Sequence, residues 1–187
     1  RFHADCYVEQ KKDRCFQIFI SSSVAGAFLR GLFGHGARNK SIPPEILGLD
    51  KHRLLVFLSA YFQGDGTPGT VSSKGVAPMR VVTSSVSLAF QVFRSLWKCG
   101  VPCALQKQSQ PDHVMGRQVD HGDLWTVRVL CGKSSEVFGR MCFPDGFELT
   151  SKAKSEYRIE SGRVLLPVVE VTSDHFEGDV FNLTVVP

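Results

Sequence analysis

Asp65 closes the run Leu58-Ser59-Ala60-Tyr61-Phe62-Gln63-Gly64-Asp65-Gly66, in which an apolar helix leads straight into an acidic turn. Ala60 and Gly64 stand four apart, so on a helix they leave a flat strip that a second helix can approach closely. An aspartate at the end of that strip would meet its partner's carboxylate. Two carboxylates at one point hold a divalent cation. The Gly64 carbonyl offers a neighbouring oxygen, and Gly66 lets the chain turn away. Asp-Gly alone is the mark of a turn; the preceding helix and its small residues give Asp65 the metal reading.

The elements that must position this group follow from local pattern. Asp50–Gly64 reads as one long helix with Asp50 as its N-cap. Ahead of it, residues 2–9 and 14–20 alternate apolar and polar and read as a β-hairpin. Residues 22–33 read as a helix with serine at its start, ended by Gly34 and Gly36. A short strand is expected at 37–40 and a break at Pro43-Pro44. After it come a loop at 67–78, a strand at 79–83, and an amphipathic helix capped by Ser84-Ser85 and closed by Gly100. A strand at 102–107, a polar loop at 109–122, a strand at 124–130 and a helix at 134–142 complete the run. Helix 22–33 with Lys40 and helix 85–98 with Lys107 read as an internal duplication: helix, glycine turn, short strand, lysine. Residues 162–171 and 179–186 are strand-like, with the charged 150–161 stretch as linker.

The chain has 187 residues, a net charge of +4 and 43% hydrophobic residues, as expected of one good core or of one domain plus a fragment. The mild basicity is compatible with nucleic acid. No apolar run reaches the roughly 18 residues needed to span a membrane, and no signal peptide is visible. These features point to an intracellular, cytoplasmic protein with no membrane partner. The chain lacks an initiator Met, so it is expected to begin inside a larger protein. Six cysteines form no CxxC. Cys99-x3-Cys103 with His113 and His121 is the nearest approach to a zinc site, against the ordinary reading of cysteine as a small buried hydrophobe. His35, His113 and His121 read as surface residues, His175 as a turn residue, and Phe93 and Trp97 as core.

Leu58–Gly66 resembles the second LAGLIDADG helix of a homing endonuclease. Gly36-Ala37-Arg38-Asn39-Lys40-Ser41-Ile42-Pro43 resembles the G-x-x-x-K-x-I-P block of inteins. Thr83-Ser84-Ser85-x-x-Leu88-Ala89, closing at Lys98-Cys99-Gly100, is similar to the strand, helix and glycine of the same repeat. Val168-Val169-Glu170-Val171 and Val180–Val185 resemble C-terminal splicing strands. The resemblance implies an α+β fold of LAGLIDADG αββαββα repeats, the first truncated, followed by β-strands of a Hint-type splicing domain. The corresponding domains are 1–149 (1–47 the rest of the first repeat, 48–149 the second) and 150–187.

The implied function is site-specific cleavage of double-stranded DNA with Mg²⁺ or Mn²⁺, within a self-splicing intein of which this chain is a fragment. The other partner is the missing N-terminal part of the same intein. A decayed DNA-binding domain without cleavage is the alternative. Asp65 and Gly64 would hold the metal. The resemblance sets Lys40 and Lys107 as catalytic residues near the scissile phosphates, where they would orient water or stabilise charge, against the ordinary reading as solvated lysines. Arg38, Lys74, Arg80, Arg117 and Arg128 are candidates for DNA backbone contact, and Thr83, Gln106 and Gln108 for base edges. The first acidic helix is absent, Gln63 replaces a frequent acid, Asn182 stands for a frequent Asp, and the terminal His-Asn is missing, so this polypeptide by itself is expected neither to splice nor to complete a nuclease site.

Overall fold

A computed structural model describes residues 5–10, 16–72, 75–108, 113–114, 117–118, 123–144, 155–175 and 177–178. The chain runs β1 (Asp5–Gln10), β2 (Phe16–Ser21), α1 (Ser23–Phe33), a 3₁₀ turn at Ala37–Asn39, α2 (Pro44–Leu47) and α3 (Lys51–Asp65). It continues with β3 (Gly66–Thr67), β4 (Thr70–Ser72), β5 (Gly75–Ala77), β6 (Arg80–Thr83) and α4 (Val86–Lys98). Then come β7 (Cys103–Gln108), β8 (His113–Val114), β9 (Arg117–Gln118), β10 (Leu124–Val129), α5 (Lys133–Cys142), β11 (Arg158–Glu160) and β12 (Arg163–Leu165). The class is mixed α+β with antiparallel sheet.

The helices start where their side chains can satisfy the free first-turn amides. The Asp50 carboxylate accepts from the amides of His52 and Arg53 at 3.0 and 3.1 Å. Ser22 and Ser85 hydroxyls do the same for α1 and α4. Helix α5 starts at a glycine that has no side chain to offer, and the Ser135 hydroxyl instead accepts from the Gly132 amide at 2.9 Å.

The central sheet has the order β3-β6-β10-β7, all antiparallel. Val81, Val127 and Leu105 form one cross-strand row, and Val129 pairs with Cys103. Helices α3 and α4 pack on that face, and α5 packs on α3. Leu54, Leu58 and Phe62 of α3 are fully buried, with Phe62 edge-on to Phe138 of α5 at 5.2 Å. Each such side chain contributes about 1.5–3 kcal/mol on burial. Trp97 and Phe93 pack at the margin of this core.

Several expectations are corrected. The strand expected at 37–40 is a 3₁₀ turn. Pro43 and Pro44 start α2 rather than only breaking the run, because proline's fixed φ and missing amide suit a first helical turn. The 67–78 and 109–122 loops carry short paired strands. Among the described residues, 166–171 pair with no strand, and Val168, Val169 and Val171 are exposed. Residues 180–186 lie outside the described residues. Part of the expected linker is docked on the domain: Glu156 accepts from Arg128 at 2.7 Å and from the Cys131 amide at 2.8 Å. Tyr157 is buried, its hydroxyl accepts from the Ser134 amide, and its ring fills the space a Cβ on Gly132 would need. Among the described residues no helix is long and apolar enough to cross a membrane.

Candidate functional site

Asp65 is the last residue of α3 and is exposed. The Gly66 amide donates to the Phe62 carbonyl. A side chain at Gly66 would strike that carbonyl oxygen at 2.3 Å, so close approach, and not a left-handed backbone, requires glycine here. A Cβ at Gly64 would meet nothing, and Ala60 is exposed. The Gln63 amide donates at 3.4 Å to the Met141 carbonyl at the end of α5. An acid at 63 would face the negative end of that helix, which accounts for the uncharged residue.

A cavity of about 420 Å³ opens beside this helix end. Phe57, Ala60, Tyr61 and Asp65 line it from α3, Phe33 and Gly34 from the end of α1, Leu88 from α4, and Lys40, Ser41 and Ile42 from the connecting segment. Asp65 and Lys40 thus come to one place. Burial, and then the charge of Asp65, push the Tyr61 hydroxyl up to about 12. It therefore stays neutral in this cavity. Asp65 is the one carboxylate among the lining residues, and no cluster of three or more His, Cys, Asp or Glu exists among the described residues. One carboxylate and the Gly64 carbonyl are fewer oxygens than Mg²⁺ requires, so these residues do not by themselves make a cation site.

Lys40 is held from behind. The Ser85 hydroxyl donates to the Lys40 carbonyl at 2.6 Å. The Gln91 side chain accepts from the Ile42 amide at 2.7 Å and donates to the Ile42 carbonyl at 3.1 Å. Gly34 has φ 82, and a Cβ there would lie 1.9 Å from the Asn39 oxygen, so the turn leading to Lys40 needs glycine. Gln91 was not among the sequence candidates. Its signal was an amide three residues after Leu88 and four before Ser95, within the otherwise buried stripe of α4.

Lys107 does not join this site. It lies within an edge strand of the sheet and pairs with Asp123 at 2.7 Å. The two lysines occupy unlike places because one follows a 3₁₀ turn and the other lies within a β-ladder. Thr83 shares its row with Trp125 and Lys107, on the helix-bearing side, and its hydroxyl accepts from the Ser85 amide at 3.1 Å. Its hydroxyl thus serves the start of α4.

The alternate positions face away from the helices. Arg80, Arg128 and Ala104 form one row, and Val82, Thr126 and Gln106 the next. Gln108, two residues beyond Gln106, shares that face. Arg80 and Gln106 are exposed there. Arg128 is bound to Glu156 and is not a free cation. Burial works to raise the Glu156 carboxyl, but the Cys131 amide and the Arg128 guanidinium outweigh it and hold the group below the usual range. Arg38 is exposed on the 3₁₀ turn. Lys74 and the Arg117 side chain lie outside the described residues. His35 and His175 are exposed.

The Cys99 and Cys103 thiols donate to separate carbonyls, those of Lys51 and Phe93. Burial pushes the Cys103 and Cys142 thiols up to about 12. They behave as core residues; the His113 side chain and His121 lie outside the described residues.

No protein-family model matches this sequence. The chain is 30% identical over 163 residues to the ATP-dependent DNA helicase Hel308 of Thermococcus kodakarensis. That match covers 84% of this chain and 14% of the helicase. The chain therefore spans a small part of the length of the curated relative it matches.

Proposed function

We propose that this chain acts on double-stranded DNA as the LAGLIDADG endonuclease portion of an intein, cutting a specific site by metal-dependent phosphodiester hydrolysis. The reading rests on one observation: Asp65 and Lys40 line a single cavity although they belong to different segments. Asp65 would hold Mg²⁺ or Mn²⁺ together with a carboxylate from a second helix, which the open strip at Ala60 and Gly64 has room to receive. Such an ion, when bound, relieves charge on the phosphate and activates water. Lys40 would stabilise the phosphate's developing charge.

The element order also supports it. Counting only the strands of the four-stranded sheet, the elements from α3 to α5 run helix, two strands, helix, two strands, helix. This order is compatible with the αββαββα succession that the resemblance implies, and the sheet face away from the helices carries the exposed Arg80 and Gln106, with Gln108 beside them, as the candidate DNA contacts. A two-stranded ribbon fits the major groove. The helicase relative is, by its name, a protein acting on DNA. This chain carries no G-x-x-x-x-G-K-[ST] phosphate loop: before Gly132-Lys133-Ser134, the first glycine's place is taken by Val127. The shared segment fits an accessory unit better than an ATP-driven motor.

Binding without cleavage is the second reading, favoured by the single carboxylate in the cavity. A plasmid library incubated with the full-length parent protein and Mg²⁺ or Mn²⁺ separates the two. Discrete double-strand cuts that Asp65→Asn abolishes, with DNA affinity retained, support the nuclease. Salt-sensitive retention on DNA with no cuts in either metal supports binding alone. Salt-insensitive behaviour without retention removes DNA altogether.

A further inference from the structure

We infer that Gln91 and Ser85 are positioning residues that set Lys40 against Asp65, an inference that rests on the nuclease reading above. The backbone at Lys40 is extended, with φ −65 and ψ 139, yet no strand pairs with residues 40–42. Its polar groups are met by two side chains of α4 instead. A carboxamide carries a donor and an acceptor side by side in one plane. Gln91 uses both on Ile42, at 2.7 and 3.1 Å, and so takes the part of a neighbouring β-strand. Ser85, fully buried at the N-cap of α4 and six residues before Gln91, holds the Lys40 carbonyl. The Ile42 side chain is buried beneath the same segment, and the Ser41 amide donates to the Phe33 carbonyl at 2.9 Å.

The consequence is a division of labour between two packed helices. Asp65 is carried by α3. Lys40, although it comes from another segment, is fixed by α4. Neither Ser85 nor Gln91 lines the cavity, so neither touches the reacting atoms. Their effect passes through the backbone at 40–42. Displacement of a reacting group by about 1 Å can cost on the order of 100-fold in rate, so loosening this clamp acts on turnover and spares DNA affinity.

The test uses the full-length parent protein with Gln91→Leu, which deletes both bonds, and Gln91→Glu, which keeps an acceptor for the Ile42 amide and loses the donor. Gln91→Leu is expected to lower kcat about 10- to 100-fold, with KM for DNA within about twofold. Gln91→Glu is expected to fall between it and the wild type. Amide hydrogen exchange at Ile42 should quicken in Gln91→Leu while exchange within α4 stays unchanged. Should Gln91→Leu not fold, the same readings on Gln91→Glu decide the matter. Unchanged kcat overturns the inference, as does a loss of kcat, affinity and melting temperature together, which marks a merely structural glutamine. If the wild type cuts no DNA, or cuts equally well as Asp65→Asn, it is the nuclease reading that falls. Ile42 exchange and the rate of Lys40 acylation then still judge the clamp, and no change in either overturns it.

Discussion

Helices α1 and α4 obey the same local rules and end in opposite environments. Each starts at a serine whose hydroxyl accepts from a first-turn amide, and each is followed by a glycine with positive φ, Gly34 or Gly100. Yet α4 buries Leu88, Ala89, Val92, Ser95 and Leu96, whereas α1 buries nothing and leaves Val24 60% exposed. The difference lies in what stands opposite. Helix α4 rests on the four-stranded sheet, while α1 brings Phe33 of its last turn to the cavity. Capping and glycine chemistry therefore fix where a helix lies in the chain, and packing decides what it is worth.

The comparison is broken most directly through the core. Leu96→Ala in α4 is expected to cost about 2–5 kcal/mol in a thermal or urea melt, and Leu29→Ala in α1 well under about 1 kcal/mol. Equal costs would show that α1 is packed as tightly as α4. The caps give the next largest contrast. Ser85→Ala loses the cap and leaves the Lys40 carbonyl unpaired, for about 2 kcal/mol, against about 1 kcal/mol for Ser22→Ala. At the glycines the order reverses. Gly34→Ala meets a backbone oxygen and should cost well over ~1 kcal/mol, whereas Gly100→Ala meets only the end of the Lys51 side chain and carries about 1 kcal/mol of left-handed strain.

Smaller effects sharpen the picture at the docked segment. The Glu156 carboxyl is held below its ordinary 4.5, so its stabilisation is full above that pH and is lost as pH falls through the folded value. A melting series below about pH 4.5 should steepen in the wild type and flatten in Glu156→Gln. The smallest signal is spectroscopic. Removing the Asp65 charge in Asp65→Asn should lower the Tyr61 hydroxyl from about 12, as read by ultraviolet titration of the folded protein. No change would place Asp65 too far from the cavity to act there.

Much of the fold was legible because short-range signals agree. Asp50 and Ser85 announce helix starts, the Val-containing runs at 79–83 and 124–130 announce strands although the run at 168–171 does not form one, and the observed bounds of α3, α4 and α5 lie within a residue or two of those expected. The failures have a common cause. Residues 37–40 carry too few residues for the sheet pattern to compete with a turn set by Gly34 and Gly36. The duplication led Lys107 to be matched with Lys40, but repetition in sequence carries no information about which partner each copy meets. The place of Thr83 on the helix-bearing side was not legible, because β6 ends there and its hydroxyl serves the helix that follows.

The cavity was half legible. Asp65 stood out by residue type and spacing and Lys40 only through the resemblance and the duplication, while Ser85 was seen only as a cap and Gln91 not at all. By itself the sequence determined the helices, their ends and the acidic turn after α3, since those depend on bonds within a few residues. Only the tertiary structure decided that Lys40 shares a cavity with Asp65, that Arg128 is taken by Glu156, and that Gln91 stands in for a β-strand. Each of these joins side chains distant along the chain, and such a meeting is selected by the packing of whole elements, which no local pattern encodes.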